Sequence, residues 1–348
     1  MSFFLRSGQL AILLICFALT TAFAQNRKAD AINRYLSDAC NAGLFNGNIL
    51  VADHGKIIVR RAIGYADASK KIPLNVQYRF HIGSIAKEFD AVGIMLLQEQ
   101  GKLSIHDKVS KFFPGLPAWA EKISIKDLLQ YTSGLPDIKY ETVHRDADNW
   151  KDLQSLKKLD FEPGSGYAYN NNNTFLRRKI IEKVTGISFA QFVQQHILQV
   201  AGIKDGVVDP TDADSFVAKS FDNHFKQDRL AVPISGWTCL TVDDFYKWAQ
   251  CINHFCVISP ASTRELLTPF EPDRQCGLGS GRMAGDQVAV HIHDGAALHY
   301  QALELAEGLK GRTIIILSNQ RQGNVYDIAA AIEAILDNKP YQLLSEKH

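Results

Sequence analysis

Apolar positions change their period along the chain, and the changes mark out its elements. Ile32, Tyr35, Leu36 and Ala39 recur at helical spacing, which predicts a helix over residues 31–44. Two β-rich runs follow, Asn48–Ala52 and Lys56–Ala62. They flank Asp53-His54-Gly55 and so predict a hairpin. From Ser84 to about Tyr246 the pattern is mostly helical. Ile85, Phe89, Val92 and Leu96 form one stripe, with Gly101 as its stop. Leu176, Ile180, Ile181 and Val184 form another, stopped at Gly186. The period then returns to two, with Val288, Val290 and Ile292 alternating against Gln287, Ala289, His291 and His293. Thr313–Ser318 reads as a compact strand. Val325, Ile328, Ala329, Ile332, Ile335 and Leu336 share one face of a last helix. Strands at both ends and helices between them predict a mixed α/β (α+β) fold. An antiparallel sheet is built from both chain ends and flanked by terminal helices, with a mainly helical lobe inserted. The expected division is an α/β lobe of about residues 25–83 and 285–345 and a helical lobe of about 84–284, with a cleft between them as the natural place for a site.

The first 24 residues stand apart. Arg6 precedes an apolar run from Leu10 to Leu19, and Ala22-Phe23-Ala24 has the small-residue pattern of a cleavage site before Gln25. This predicts a signal peptide, residues 1–24, and a secreted or periplasmic protein of about 324 residues (348 − 24). The competing reading is a membrane anchor, although the run is shorter than the ~20 residues a spanning helix needs. Lys plus Arg is 38 and Asp plus Glu 37, a balance that offers nucleic acid or an anionic membrane no electrostatic handle. The apolar fraction of 46% is that of a globular protein and excludes disorder. Beyond the leader, the cysteines are Cys40, Cys239, Cys251, Cys256 and Cys276, an odd set without any Cys-x-x-Cys. Cys251 and Cys256 are candidates to pair in an oxidising compartment; small buried hydrophobes are the other reading.

The strongest chemical signal is Gly83-Ser84-Ile85-Ala86-Lys87. Ser84 follows a turn and opens a helix, and Lys87, three residues on, shares its face. A capping box would place Glu or Gln at position 87. A lysine there meets the positive end of the helix dipole, which suits an ammonium poorly. Desolvation and the dipole together would lower its pKa, so that a neutral amine takes the serine proton. Ser84 is then an activated nucleophile for acyl transfer, with a backbone N–H at the helix start for the oxyanion. Taken alone, Ser-x-x-Lys is also what an ordinary N-cap serine followed by a solvated lysine looks like.

Further motifs stand in order downstream. Ile123 to Pro136 reads ISIKDLLQYTSGLP. Pro163-Gly164-Ser165-Gly166-Tyr167-Ala168-Tyr169-Asn170-Asn171 is a Pro-Gly turn followed by Tyr-x-Asn. His293-Asp294-Gly295 lies before the Thr313–Asn319 strand. With Ser84 and Lys87, this order resembles the β-lactamase-related serine hydrolases, the family of class C β-lactamases and serine D,D-peptidases, over about Asn48 to Ile335. The resemblance implies an enzyme that forms an acyl-enzyme on Ser84, with Lys87 as proton acceptor and no metal or organic cofactor. It implies that Tyr169 relays protons, its phenol titrating near neutrality beside Lys87. It further implies that Asn171 holds Lys87 and substrate, that His293 orients Tyr169 or a substrate carboxylate, and that Gly295 completes the box. The oxyanion hole would be the backbone N–H groups of Ser84 and Ala296. Substrates would be D-amino-acid peptides, β-lactams or small esters; a weakly catalytic penicillin-recognising sensor on the same fold is the alternative.

Some positions depart from the pattern. Tyr131 stands where histidine is usual, Cys276 replaces a tyrosine, and His299-Tyr300 replaces a Gly-Phe pair, which bears on substrate choice. Tyr167 competes with Tyr169 for the register, and the Pro-Gly spacing with Asn171 favours Tyr169. His291, His293, Asp294 and His299 also invite a metal reading, but Asp294 follows His293 directly, so His-x-His-x-Asp-His is not met.

Overall fold

The computed structural model describes residues 25–344; the expected signal peptide lies outside them. A helix over residues 25–41 (α1) leads into the hairpin β1 (Gly47–Asp53) and β2 (Lys56–Ile63). The other strands of the main sheet come from the far end of the chain. They are Ser280–Ala284, Gln287–Ala297, Tyr300–Glu307 and Arg312–Ser318, numbered β6 to β9 after three short strands named below. The spatial order is β2-β1-β9-β8-β7-β6, with every neighbour antiparallel. The expected sheet from both chain ends is therefore present, closed by β1 pairing with β9 from Gly47↔Ser318 to Ala52↔Thr313.

Alternation along these strands feeds two cores. Ile49, Val51, Leu303, Leu305, Ile314 and Ile316 pack on one face against α1 and the last helix, Val325–Leu336. Leu50, Ala302, Ile315 and Leu317 point to the other face and join the larger core of the helical region. Full burial stabilises each such side chain by about 1.5–3 kcal/mol, so a one-residue slip in register would forfeit both cores at once.

The intervening chain carries α2 (Lys87–Glu99), α3 (Val109–Phe112), α4 (Ile125–Leu129), α5 (Asp146–Ser155), α6 (Asn171–Thr185), α7 (Phe189–Val193), α8 (Val242–Asn253) and α9 (Pro260–Leu266). It is not wholly helical. Short strands β3 (Phe80–His81), β4 (Val207–Val208) and β5 (Thr238–Leu240) form a second sheet of order β3-β5-β4. The lobe boundary expected near 285 also moves, because β6 belongs to the main sheet and begins at Ser280. Its sequence, Ser-Gly-Arg-Met-Ala, lacks the alternating apolar residues that would mark a strand. Cys251 and Cys256 are disulfide-bonded at the end of α8, Cα–Cα 5.1 Å, while Cys40, Cys239 and Cys276 are free.

Candidate active site

Ser84 sits in a single 3₁₀ turn, Gly83–Ala86, which runs directly into α2 with Lys87 as its first residue. The turn is pinned against β7. Gly83 adopts φ +57°, and a Cβ there would stand 2.3 Å from the Ala296 nitrogen. A Cβ on Gly295 would stand 2.0 Å from the Ile82 carbonyl oxygen and 2.8 Å from the Ser84 nitrogen. Backbone meets backbone here, and only glycine permits it at either position. The amides of Ser84 and Ala296 are thereby brought to one junction. His81 shapes the entry, its Nδ1 accepting the Gly83 N–H at 2.9 Å. Burial first and Lys87 second push the His81 imidazole down to about 4, so it is the neutral acceptor this bond requires.

Lys87 Nζ donates to Ser84 Oγ at 2.8 Å. The lysine is only 1% exposed, whereas Ser84 stays half-buried and reachable. Burial is the main force that brings the Lys87 ammonium down to about 7, and the Arg178 cation is the next. Tyr169 closes the third side, with its ring centroid 5.1 Å from Lys87 Nζ; the Trp237 ring lies 5.0 Å from the same atom. The Tyr169 hydroxyl is buried without a well-aligned hydrogen bond. Ser84 stands close enough to favour its ionised form, but burial outweighs that and holds the phenol well above its ordinary value. The expectation that Tyr169 titrates near neutrality is therefore corrected. The Ser84 contact and the Arg177 cation only partly offset the desolvation, so the phenol stays protonated. Tyr167 stands apart from this trio, under the guanidinium of Arg274, 5.1 Å from its ring centroid.

Two other expected contacts are not made. Asn171, first residue of α6, gives its backbone N–H to Asp137 Oδ1 at 2.9 Å and its amide nitrogen to the Tyr140 hydroxyl, not to Lys87. Its Oδ1 is buried and unpartnered. His293 does share a β7 face with Gly295, but its ring is 2% exposed and its Nδ1 lies 2.6 Å from Glu88 Oε1. That ring is committed to an interior ion cluster instead of to Tyr169. Glu88 collects three donors. The others are His291 Nε2 at 2.9 Å and Trp248 Nε1 at 2.6 Å, while His291 Nδ1 lies 3.2 Å from Glu304 Oε1. All four ionisable members are buried. Glu88 is pushed down to about 2 by the two histidines despite its burial, and His291 is held well above its usual value by both carboxylates. The cluster therefore sets His291 between two buried carboxyl groups, Glu88 and Glu304, the latter held above its usual value by burial.

Glu88, His291 and Glu304 also have the composition of a metal site, with ligand atoms within 4.8 Å of one another. Two ligands ~2.1 Å from a tetrahedral ion would stand ~3.4 Å apart. The 2.6 and 2.9 Å contacts on Glu88 Oε1 are hydrogen bonds instead. Asp294 bonds the Tyr326 hydroxyl at 2.9 Å and His299 pairs with Asp228 at 2.9 Å, so the four residues of the metal reading do not converge. Glu88 and Glu304 carried no sequence signal, because the pairing depends on how α2 lies across β7 and β8.

Tyr131 takes a left-handed backbone (φ +58°) and packs its ring against Tyr169 at 4.6 Å between centroids, tilted by 42°. Tyr300, in place of the usual aromatic after glycine, is core. It donates to the Ala218 carbonyl at 2.5 Å and stacks on His81. Of that pair only His299 is partly solvent-exposed, paired with Asp228.

The family profile described as Beta-lactamase matches residues 34–339. "Penicillin-binding protein 4*" of Bacillus subtilis is 28% identical over 336 residues, covering 86% of this chain and 74% of the relative. The "Teichoic acid D-alanine hydrolase" of Staphylococcus aureus is 31% identical over 257 residues, covering 71% of this chain and 63% of the relative. Among solved structures, the D-amino acid amidase from Ochrobactrum anthropi SV3 superposes with a TM-score of 0.75 at 20% identity, covering 90% of this chain and 99% of that one. Sheet, site and similarity agree: the chain belongs to the Beta-lactamase family and is a serine hydrolase.

Proposed function

We propose that this protein is an exported acyl-transfer hydrolase whose nucleophile is Ser84, acting on D-aminoacyl peptides, amides or esters, with β-lactams as alternative acyl donors. The observation that carries the reading is the 2.8 Å contact between Ser84 Oγ and a buried lysine whose pKa is brought down to about 7, so that the neutral amine is well populated near neutral pH. Ser84 Oγ passes its proton to Lys87 Nζ as the Oγ–carbon bond forms, and the carbonyl oxygen takes the negative charge. The amides of Ser84 and Ala296 face that oxygen. As the bond to the leaving group breaks, the leaving group takes a proton from Tyr169, which recovers it from Lys87. Water then attacks the ester, giving its proton to the Lys87 amine, and as the bond from the acyl carbon to Ser84 Oγ breaks that proton passes from Lys87 Nζ to Oγ, restoring the free serine and the neutral amine. Asn171 Oδ1, buried and unpartnered, is an acceptor available to the N–H of a bound acyl donor. The D-alanyl and D-amino acid substrates named for two relatives support the D-aminoacyl class. Export is supported by the leader pattern and by the Cys251–Cys256 disulfide, a bond that persists in oxidising compartments. No helix among the described residues is long and apolar enough to cross a membrane.

The test is intact-protein mass spectrometry after a fluorophosphonate, followed by turnover of D-Ala-D-Ala peptides, D-alanyl esters, p-nitrophenyl esters and nitrocefin. One adduct, mapped to Ser84 and absent from Ser84→Ala, is expected, with turnover of at least one D-aminoacyl compound. An adduct that persists in Ser84→Ala overturns the nucleophile. N-terminal sequencing of secreted protein should begin at Gln25.

A further inference from the structure

Beside the nucleophile lies a charge cluster that the mechanism above does not use. Asp90, one turn beyond Lys87 on α2, is fully buried and faces two consecutive arginines of α6 that are buried as well. Arg177 Nε meets Asp90 Oδ1 at 2.5 Å and Arg178 Nε meets Oδ2 at 3.2 Å. One carboxylate thus serves two guanidinium groups, and the triad keeps a net positive charge in the interior. The second nitrogen arm of each arginine, Nη2, is buried without a hydrogen-bond partner. Burying two cations on one anion costs more desolvation than a single pair and leaves one positive charge without a counter-ion in the triad.

Geometry ties this surplus charge to the active site. The Arg178 guanidinium lies 5.6 Å from the Trp237 ring centroid, and Lys87 Nζ lies 5.0 Å from the same centroid. The surrounding fold makes room for it. Gly236, at φ +97°, is the position where a Cβ would stand 2.4 Å from Arg178 Nε, and the Ser235 carbonyl accepts from Arg178 Nη1. Arg177 is held further back, over the Tyr131 ring at 5.4 Å and on the Leu128 carbonyl at 2.6 Å.

Resting on the acyl-enzyme reading, we propose that Arg178, carried by the Asp90–Arg177–Arg178 triad, is the positioning residue that keeps the Lys87 amine free to accept the Ser84 proton. The charged and titratable groups facing Lys87 are Asp90 on its own helix, Arg177 and Arg178 from α6, Asp137 from the loop after α4, His81 from β3 and Tyr169 before α6. After burial, Arg178 is the largest influence on Lys87. The two arginines oppose its protonation while Asp90 and Asp137 favour it. Two unit charges ~8–10 Å apart at an effective dielectric of ~20 move a titration by about one pH unit.

The experiment measures the rate at which a fluorophosphonate labels Ser84, as a function of pH, in the wild type, Arg178→Gln, Arg178→Lys and Asp90→Asn. The wild-type rate should fall as pH drops through about 7, where Lys87 takes up its proton. Arg178→Gln should move that limb up by about one pH unit, a loss of up to ~10-fold below it that shrinks at high pH. Arg178→Lys should return the limb toward the wild type. Asp90→Asn, which removes charge of the opposite sign, should move it down. A merely structural role would lower the rate equally at every pH, and opposite displacements separate the two roles. Removing Arg178 leaves a neutral Asp90–Arg177 pair, so either variant suffices if the other fails to fold. Labelled Ser84 with limbs that coincide, or that move in the same direction in both charge-removing variants, overturns the proposal alone. Wild type unlabelled at Ser84 at any pH overturns the acyl-enzyme reading beneath it.

Discussion

A buried amine that must stay neutral destabilises the fold, and Lys87→Met should expose that cost. The lysine falls from 10.5 to about 7 on folding. The unfolded chain therefore binds more protons than the native one between those values, and native stability rises with pH across that window. At 1.36 kcal/mol per pH unit, a displacement of about 3.5 units amounts to roughly 4–5 kcal/mol of destabilisation at and below pH 7. Methionine fills nearly the same volume without the charge. It forfeits the 2.8 Å hydrogen bond to Ser84 and the contacts over Tyr169 and Trp237, together about 1.5–2 kcal/mol. The net expectation is a gain of about 2–3 kcal/mol at pH 7. With an unfolding entropy of about 2.1 cal/mol/K per residue over about 320 residues, that gain is a rise in Tm of about 3–5 °C. Urea unfolding followed by circular dichroism at pH 6.5, 8 and 9.5 measures it, beside loss of Ser84 labelling. The advantage should shrink as pH rises toward 10, because the wild type then recovers. A variant less stable than the wild type at pH 6.5, or one whose advantage does not change with pH, would refute the claim that burial holds the amine near neutrality.

Other outcomes follow from the same geometry. Glu88→Gln removes the anion on which His291, His293 and Trp248 converge, and should destabilise by about 3–5 kcal/mol; a loss under ~1 kcal/mol in thermal melts would mean that the cluster is not ionic. Tyr169→Phe should keep Ser84 labelling but lower steady-state turnover by ~10²-fold or more, since the acid is lost and the nucleophile kept; unchanged turnover would remove Tyr169 from the proton path. Gly295→Ala would set a Cβ 2.0 Å from the Ile82 carbonyl, so the 3₁₀ turn must shift; labelling should drop at least ~10-fold even where the protein remains folded by circular dichroism. Changing Cys251 and Cys256 together to serine opens a loop of about six residues and should cost about 2 kcal/mol, read as a lower Tm with turnover intact.

What the sequence disclosed and what it withheld divide along a physical line. The apolar pattern placed β1, β2, β7, β9, α2, α6 and the last helix: β7 and the helices show a period of two or 3.6, whereas β9, buried at every position, shows a short continuous apolar run. It missed β6, whose Ser-Gly-Arg-Met-Ala strand sits at the sheet edge and owes its place to pairing with β7 rather than to apolar alternation. Ser84, Lys87 and Tyr169 were legible because their chemistry is tied to short motifs at turns. The roles of His293 and Asn171 were not, because each depends on a residue distant in sequence: Glu88, 205 residues from His293, and Tyr140, 31 from Asn171. The same holds for Asp90 with Arg177 and Arg178, which stand 87 and 88 residues away. Only the crossing of α2 with α6 turns them into an interior triad. A motif identifies which atoms react. The potential those atoms feel comes from charges gathered by tertiary packing, and in this chain that gathering places two arginines and one aspartate within reach of the lysine that must stay uncharged. On the proposed reading, the base in this chain is tuned from behind, by Asp90, Arg177 and Arg178 of α2 and α6, which share hydrogen bonds with one another rather than with Ser84.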